Sequence, residues 1–255
     1  MNNNCYVLHV LSAGLHVEVT LNGWRPYRKT AAELRTFEHA LDPWLLEGHN
    51  VLEASLGPLP EEAGAEGPYF KVILCRRMPK HPPDVDDAMV FFRWTADEHP
   101  LEKEGLTPVF RHEFFMREAF GRWAWEDARP YMPQDRLDVQ AVVVMLHQAM
   151  ARGNVAAMMA ALRLKQEEMS RAFALSLDRH MEGQEQGFRA LFSAPDWQMA
   201  SLDPSKLIIE SSAGGRLVHV YHPDGEEPLR GRGSGGTYAL GLTLSRIGGH
   251  WEVVR

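Results

Sequence analysis

Two rhythms of apolar and polar residues meet near Arg129-Pro130-Tyr131-Met132-Pro133-Gln134. Before that point, apolar residues come in short alternating runs separated by Pro, Gly and acidic clusters. Leu15, Val17, Val19 and Leu21 alternate with His16, Glu18 and Thr20, the period-two signature of a half-buried strand. Asn22-Gly23 follows at once, and both residues tolerate positive φ, so a hairpin is predicted there. Further runs predict strands over 6–11, 50–55, 69–75, 89–94, 109–116 and 122–125, with loops over 57–67 and 78–87. Short strands between turns predict an antiparallel β-sandwich over residues 1–131.

After the change, Asp135 is placed to cap a helix through 140–150, which Arg152-Gly153 stops. Asn154 caps the next helix, on which Val155, Met158, Met159, Leu162, Met169 and Phe173 form one apolar face. A third, shorter helix, loosened by Gly183 and Gly187, ends at Phe188, Leu191 and Phe192 before Pro195. Strands are predicted over 206–210, 217–221, 237–244 and 251–254. Residues 132–255 therefore read as an α+β domain, with helices packed on a curved antiparallel sheet.

A chain of 255 residues has room for two such domains. No apolar run is long enough to span a bilayer, and Met1-Asn2-Asn3-Asn4-Cys5 lacks a secretory pattern, so no membrane and a cytoplasmic location are expected. Cys5 and Cys75 fall in strand-like runs and read as small core hydrophobes rather than a disulfide or metal pair. The net charge of -7 is uneven: residues 134–255 hold 13 basic and 14 acidic side chains, leaving 14 and 20 before them. The acidic residues cluster at Glu61, Glu62 and Glu66, at Asp84, Asp86 and Asp87, and at Asp97, Glu98, Glu102 and Glu104. Such a surface disfavours nucleic acid and favours a basic partner, although solubility alone also explains acidic loops.

Two stretches carry family resemblances. Leu45-Leu46-Glu47-Gly48-His49-Asn50-Val51-Leu52-Glu53, following Val17–Gly23, resembles the Gly-x-Asn segment and Asn-Gly hairpin of galactose-binding-like jelly-roll domains. That likeness implies a sandwich and, in some members, sugar sites built on exposed aromatics, for which Trp24, Trp44 and Trp94 are the candidates. The Gly153-Asn154 junction, 218–225 and the closing 242–254 resemble the nuclear-transport-factor-2-like, ketosteroid-isomerase-like cone. The isomerase branch of that superfamily needs a carboxylate base and a hydrogen-bond donor within an apolar cone. The helices over 135–192 contain no Tyr, and Glu167, Glu168, Glu182 and Glu185 sit in polar stretches, so no catalytic residue transfers.

Other constellations are incomplete. His81, Asp84, Asp86 and Asp87 are hard-metal ligand types without the glycine and closing Glu of an EF-hand. His112-Glu113 is an isolated pair, and Arg230-Gly-Arg-Gly-Ser-Gly-Gly236 reads as a mobile hairpin loop rather than a phosphate cradle. Met145, Met150, Met158, Met159 and Met169 read as core or as the lining of an apolar cavity. No catalytic residue, cofactor or metal is expected. The favoured reading is a cytoplasmic protein-binding protein, in general character like a bacterial immunity protein that neutralises a type VI secretion toxin. Glu61, Glu62, Asp84, Asp86 and Asp87 would then meet a basic partner, with Trp44 and Trp94 as anchors. A small-molecule-binding protein or isomerase-type enzyme using the second domain, and a carbohydrate-binding module, are the alternatives.

Overall fold

The structure, a computed structural model, describes residues 5–30, 33–59, 67–77, 88–117, 120–234 and 236–255. It is a mixed α+β chain with four antiparallel sheets and four helices among those residues. Close contacts group it into two compact units, 1–122 and 123–255.

The first unit holds β1 (Cys5–Ala13), β2 (Leu15–Leu21), β3 (Trp24–Lys29), β4 (Arg35–Ala40), β5 (Gly48–Pro58), β6 (Tyr69–Arg77), β7 (Ala88–Trp94) and β8 (Thr107–Met116). They form two four-stranded sheets, ordered β4-β1-β6-β7 and β3-β2-β5-β8. Along β2 every second residue is buried, as its alternation requires. The sheets touch through Tyr27, whose hydroxyl lies 2.9 Å from that of Ser12, and through Phe92 stacked 4.6 Å from Phe110. Two edge strands, β3 and β4, escape the sequence pattern. β3 carries Pro26, which only an edge tolerates, and β4 mixes polar with apolar residues, half of them exposed.

The two asparagines singled out by sequence meet. Asn22, in the left-handed conformation (φ 53°), donates to Asn50 Oδ1 at 2.8 Å and accepts from the Val51 N–H at 2.9 Å. Fully buried Asn50 accepts from the Leu46 N–H and donates to the Leu46 and Gly48 carbonyls. The hairpin and the bend before β5 are thus latched by side-chain amides, each satisfied as a buried polar group must be.

The second unit holds α1 (Arg136–Ala151), α2 (Val155–Ala161), α3 (Arg163–Ala172), α4 (Leu177–Phe192), β9 (Gln198–Met199), β10 (Ile208–Ser212), β11 (Leu217–Tyr221), β12 (Leu229–Gly233), β13 (Gly236–Leu240), β14 (Leu242–Ile247) and β15 (His250–Val253). The sheets run β10-β11-β14-β15 and β13-β12-β9. One core joins Val139, Val143, Leu146, Met150, Met158 and Phe188 to Val218, Val220, Leu229 and Leu244. Met150 and Met158 are buried there, whereas Met145 is exposed.

Several expectations are corrected. Residues 124–127 form a 3-10 turn rather than a strand. The predicted second helix breaks at Leu162 into α2 and α3, and α4 is as long as α1. Asn154 caps α2 through its bond to the Ala157 N–H, but Asp135 does not cap α1 with its side chain. Instead its carboxylate takes the Met132 N–H and the guanidinium groups of Arg129 and Arg246. Arg230–Gly233 is strand, paired on both sides, not loop. The run over 237–244 divides at Gly241 between two sheets, where the Glu227 carboxylate packs against the backbone, 2.9 Å from where a Cβ would lie.

Candidate functional site

The acidic surface is built from β7 outward. Val90, Phe92 and Trp94 share one face of the strand, while Met89 and Phe91 point the other way and are 40 % and 44 % exposed. Trp94 is buried, and its indole N–H donates to the His99 carbonyl at 2.8 Å, tying down the following loop. The loop's far end is fixed by the Thr107 hydroxyl, which accepts the Glu102 N–H at 2.9 Å. Gly57 allows close approach: a Cβ there would lie 2.2 Å from the Gly105 carbonyl. Between these anchors Asp97, Glu98, Glu102 and Glu104 are all exposed, with Lys103 the one cation of the segment. None of the four carboxylates makes an ion pair among the described residues.

Of the residues expected from sequence, Glu61, Glu62, Asp84, Asp86 and Asp87 lie outside the described residues, as does His81. Trp44 and Trp94 are core residues, which corrects their reading as anchors. Trp24 is buried too and stacks on Trp44 at 3.6 Å, so these three rings present no platform for a sugar. Cys5 and Cys75 form no disulfide, and buried Cys75 donates its thiol to the Val7 carbonyl at 3.9 Å.

In the second unit a groove of about 680 Å³ is lined by Gln198, Thr237, Tyr238, Glu226, Arg230 and Arg232 among others. Arg230 is held by Asp224 at 3.0 Å, and Asp224 is also 2.9 Å from His222. Burial raises the Tyr238 hydroxyl above its ordinary range. Near the last strand, the guanidinium groups of Arg171 and Arg255 both lie over the Trp123 ring, 4.5 and 4.8 Å from its centroid. Glu168, buried beside them, accepts from Arg255 and from the Ala124 N–H. Burial, reinforced by Arg255, pushes the Lys165 ammonium down to about 8, and burial raises the Glu227 carboxyl.

His219 is buried with both ring nitrogens engaged, Nε2 by Ser212 at 2.8 Å and Nδ1 by Thr243 at 3.0 Å. That is how a core histidine is satisfied. Sequence gave no hint of this chain because its members come from three strands. Among the described residues no group of three or more His, Cys, Asp or Glu is placed to hold a metal, and no helix is long and apolar enough to cross a membrane. No family model, curated protein or solved structure matches the chain.

Proposed function

We propose that the protein acts by binding a basic partner protein, in the manner of an immunity protein that occludes a toxin, and does no chemistry of its own. The first unit is read as a β-sandwich scaffold and the second as a cone-like module packed on its own core. One observation carries the reading: Asp97, Glu98, Glu102 and Glu104, exposed and without ion-pair partners among the described residues, follow in sequence the strand that exposes Met89 and Phe91. Unpaired charge steers association, and an apolar anchor beside it supplies the desolvated contact. Glu61, Glu62, Glu66, Asp84, Asp86 and Asp87, which lie outside the described residues, extend the same acidic character in sequence.

The test uses the full chain as bait in extracts of its native host, at low and high salt. Alongside it runs a variant with Asp97, Glu98, Glu102 and Glu104 changed to Lys and Phe91 to Ala. The expected partner is basic, is captured by the wild type, weakens with salt and is lost to the variant. An equal yield with both baits, insensitive to salt, removes this surface from the account. A second reading, a small-molecule receptor, is favoured only by the groove around Arg230 and Arg232.

A further inference from the structure

The edge strand β8 carries a self-complementary sequence. Among the described residues it pairs with β5 alone, which leaves its other edge unpaired. Its centre reads Phe110-Arg111-His112-Glu113-Phe114, an aromatic-cation-His-anion-aromatic order that is its own complement when reversed. Phe110, His112 and Phe114 lie in a row on one face, with ring centroids 6.1 and 6.4 Å apart. Arg111 and Glu113 lie on the opposite face, and both side chains are more than half exposed. Phe115 is 59 % exposed, the most exposed aromatic of the strand.

We propose that two copies of the chain pair antiparallel through β8 about a two-fold axis at His112. In that register Arg111 faces Glu113 of the partner subunit, and Phe110 faces Phe114 of the partner subunit. Directly opposite side chains on one face of an antiparallel pair interact, and opposite charges there are favourable. Sliding the pairing by two residues in either direction sets Arg111 against Arg111 of the partner subunit, or Glu113 against Glu113 of the partner subunit. Sliding it by one puts the aromatic row against the charged face. The charge pattern therefore selects one register and makes a second copy the best-matched occupant. The far edge of the same sheet, β3, is blunted by Pro26 and by Arg25, Arg28 and Lys29, whereas β8 has Pro108 only near its start, beyond the paired core. Pairing joins two four-stranded sheets into one of eight and ends the exposure of a ten-residue edge.

The experiment is sedimentation equilibrium of the full chain, with circular dichroism confirming that each variant is folded. The wild type is expected to dimerise. R111E alone sets Glu against Glu113 of the partner subunit, and E113R alone sets Arg against Arg111 of the partner subunit. Each is expected to weaken self-association by about tenfold, because the symmetric axis repeats the clash. A mixture of the two variants restores both opposite-charge pairs and is expected to form a heterodimer near wild-type strength. A wild type that stays monomeric overturns the proposal. So does a dimer indifferent to both substitutions, or a mixture that fails to recover. The outcome is independent of the acidic-loop reading, whose bait variant leaves β8 unchanged.

Discussion

At the residue scale, the clearest consequences come from polar groups that folding removes from water. Asp42 opens the 3-10 turn Asp42–Trp44, where it is buried and accepts the Tyr6 N–H at 3.0 Å. Burial pushes its carboxyl up to about 7. In the unfolded chain the same group ionises near pH 4. Between those values the unfolded chain has released the proton that the folded protein still holds. Stability contributed by Asp42 is therefore full in acid, is lost as pH rises from about 4 towards 7, and changes no further above that. Asp42→Asn, which keeps an acceptor for the Tyr6 N–H, is expected to flatten this slope and to gain on the wild type by a few kcal/mol at pH 8. Urea denaturation at pH 5 and pH 8 measures it, and parallel slopes in both proteins contradict it. Asn50 was legible for a related reason: a Gly-x-Asn pattern before an alternating run marks a turn whose amide is needed locally. The bond from Asn22, across 28 positions of sequence, was not legible.

At the scale of elements, apolar patterning rather than place in the sheet decided which strands could be read, and the edges β7 and β8 were predicted along with the inner strands. β1, β2, β5 and β6 are inner strands with strong apolar patterns, and each appears where the alternation places it. β3 and β4 are edges with half-polar faces and gave no signal. Glycine misled in the second unit. The sequence from Arg230 to Gly236 reads as loop because glycines usually weaken strands. Gly231 instead makes room for a ring: a Cβ there would sit 2.3 Å from Trp197 Cη2, and the Trp197 indole N–H is held by the Met150 carbonyl at 3.1 Å. Gly231→Ala must push that ring out of place or part the strands. A loss of roughly 1–3 kcal/mol is expected, as for other overpacked cores. It should appear as a lower urea midpoint together with altered tryptophan fluorescence. A variant with the wild-type midpoint shows that the ring moves freely.

At the scale of the whole molecule, close contacts group residues 1–122 and 123–255, whereas the change of rhythm in the sequence falls at 129–134. The difference has a physical source. The sequence breaks at Pro130 and Pro133, but Trp123, with Arg171 and Arg255 over its ring, belongs to the second unit. A Trp in the short alternating run Arg122-Trp123-Ala124-Trp125 gives no sign of which core will take it. Candidate chemistry was harder still. Ser212, His219 and Thr243, like Lys165 and Glu227, are distant in sequence and meet only through sheet and helix packing. The acidic loop was legible because charge needs no partner to be seen. Its exposed carboxylates predict that charge reversal there changes association rate and salt dependence before it changes stability, since exposed charges contribute little to folding.

The amide latch of the first unit also gives the protein a clock. Asn22 precedes Gly23, and a following glycine leaves its own amide nitrogen free to attack the side-chain carbonyl and expel ammonia, closing a succinimide that water then opens to a carboxylate. The resulting carboxylate would lose the donor now shared between Asn50 Oδ1 and the Trp44 carbonyl, and would set negative charge against both oxygens. Stored protein is therefore expected to accumulate a more acidic form that melts lower, and Asn22→Gly should age without that change, visible by isoelectric focusing of samples kept warm at alkaline pH.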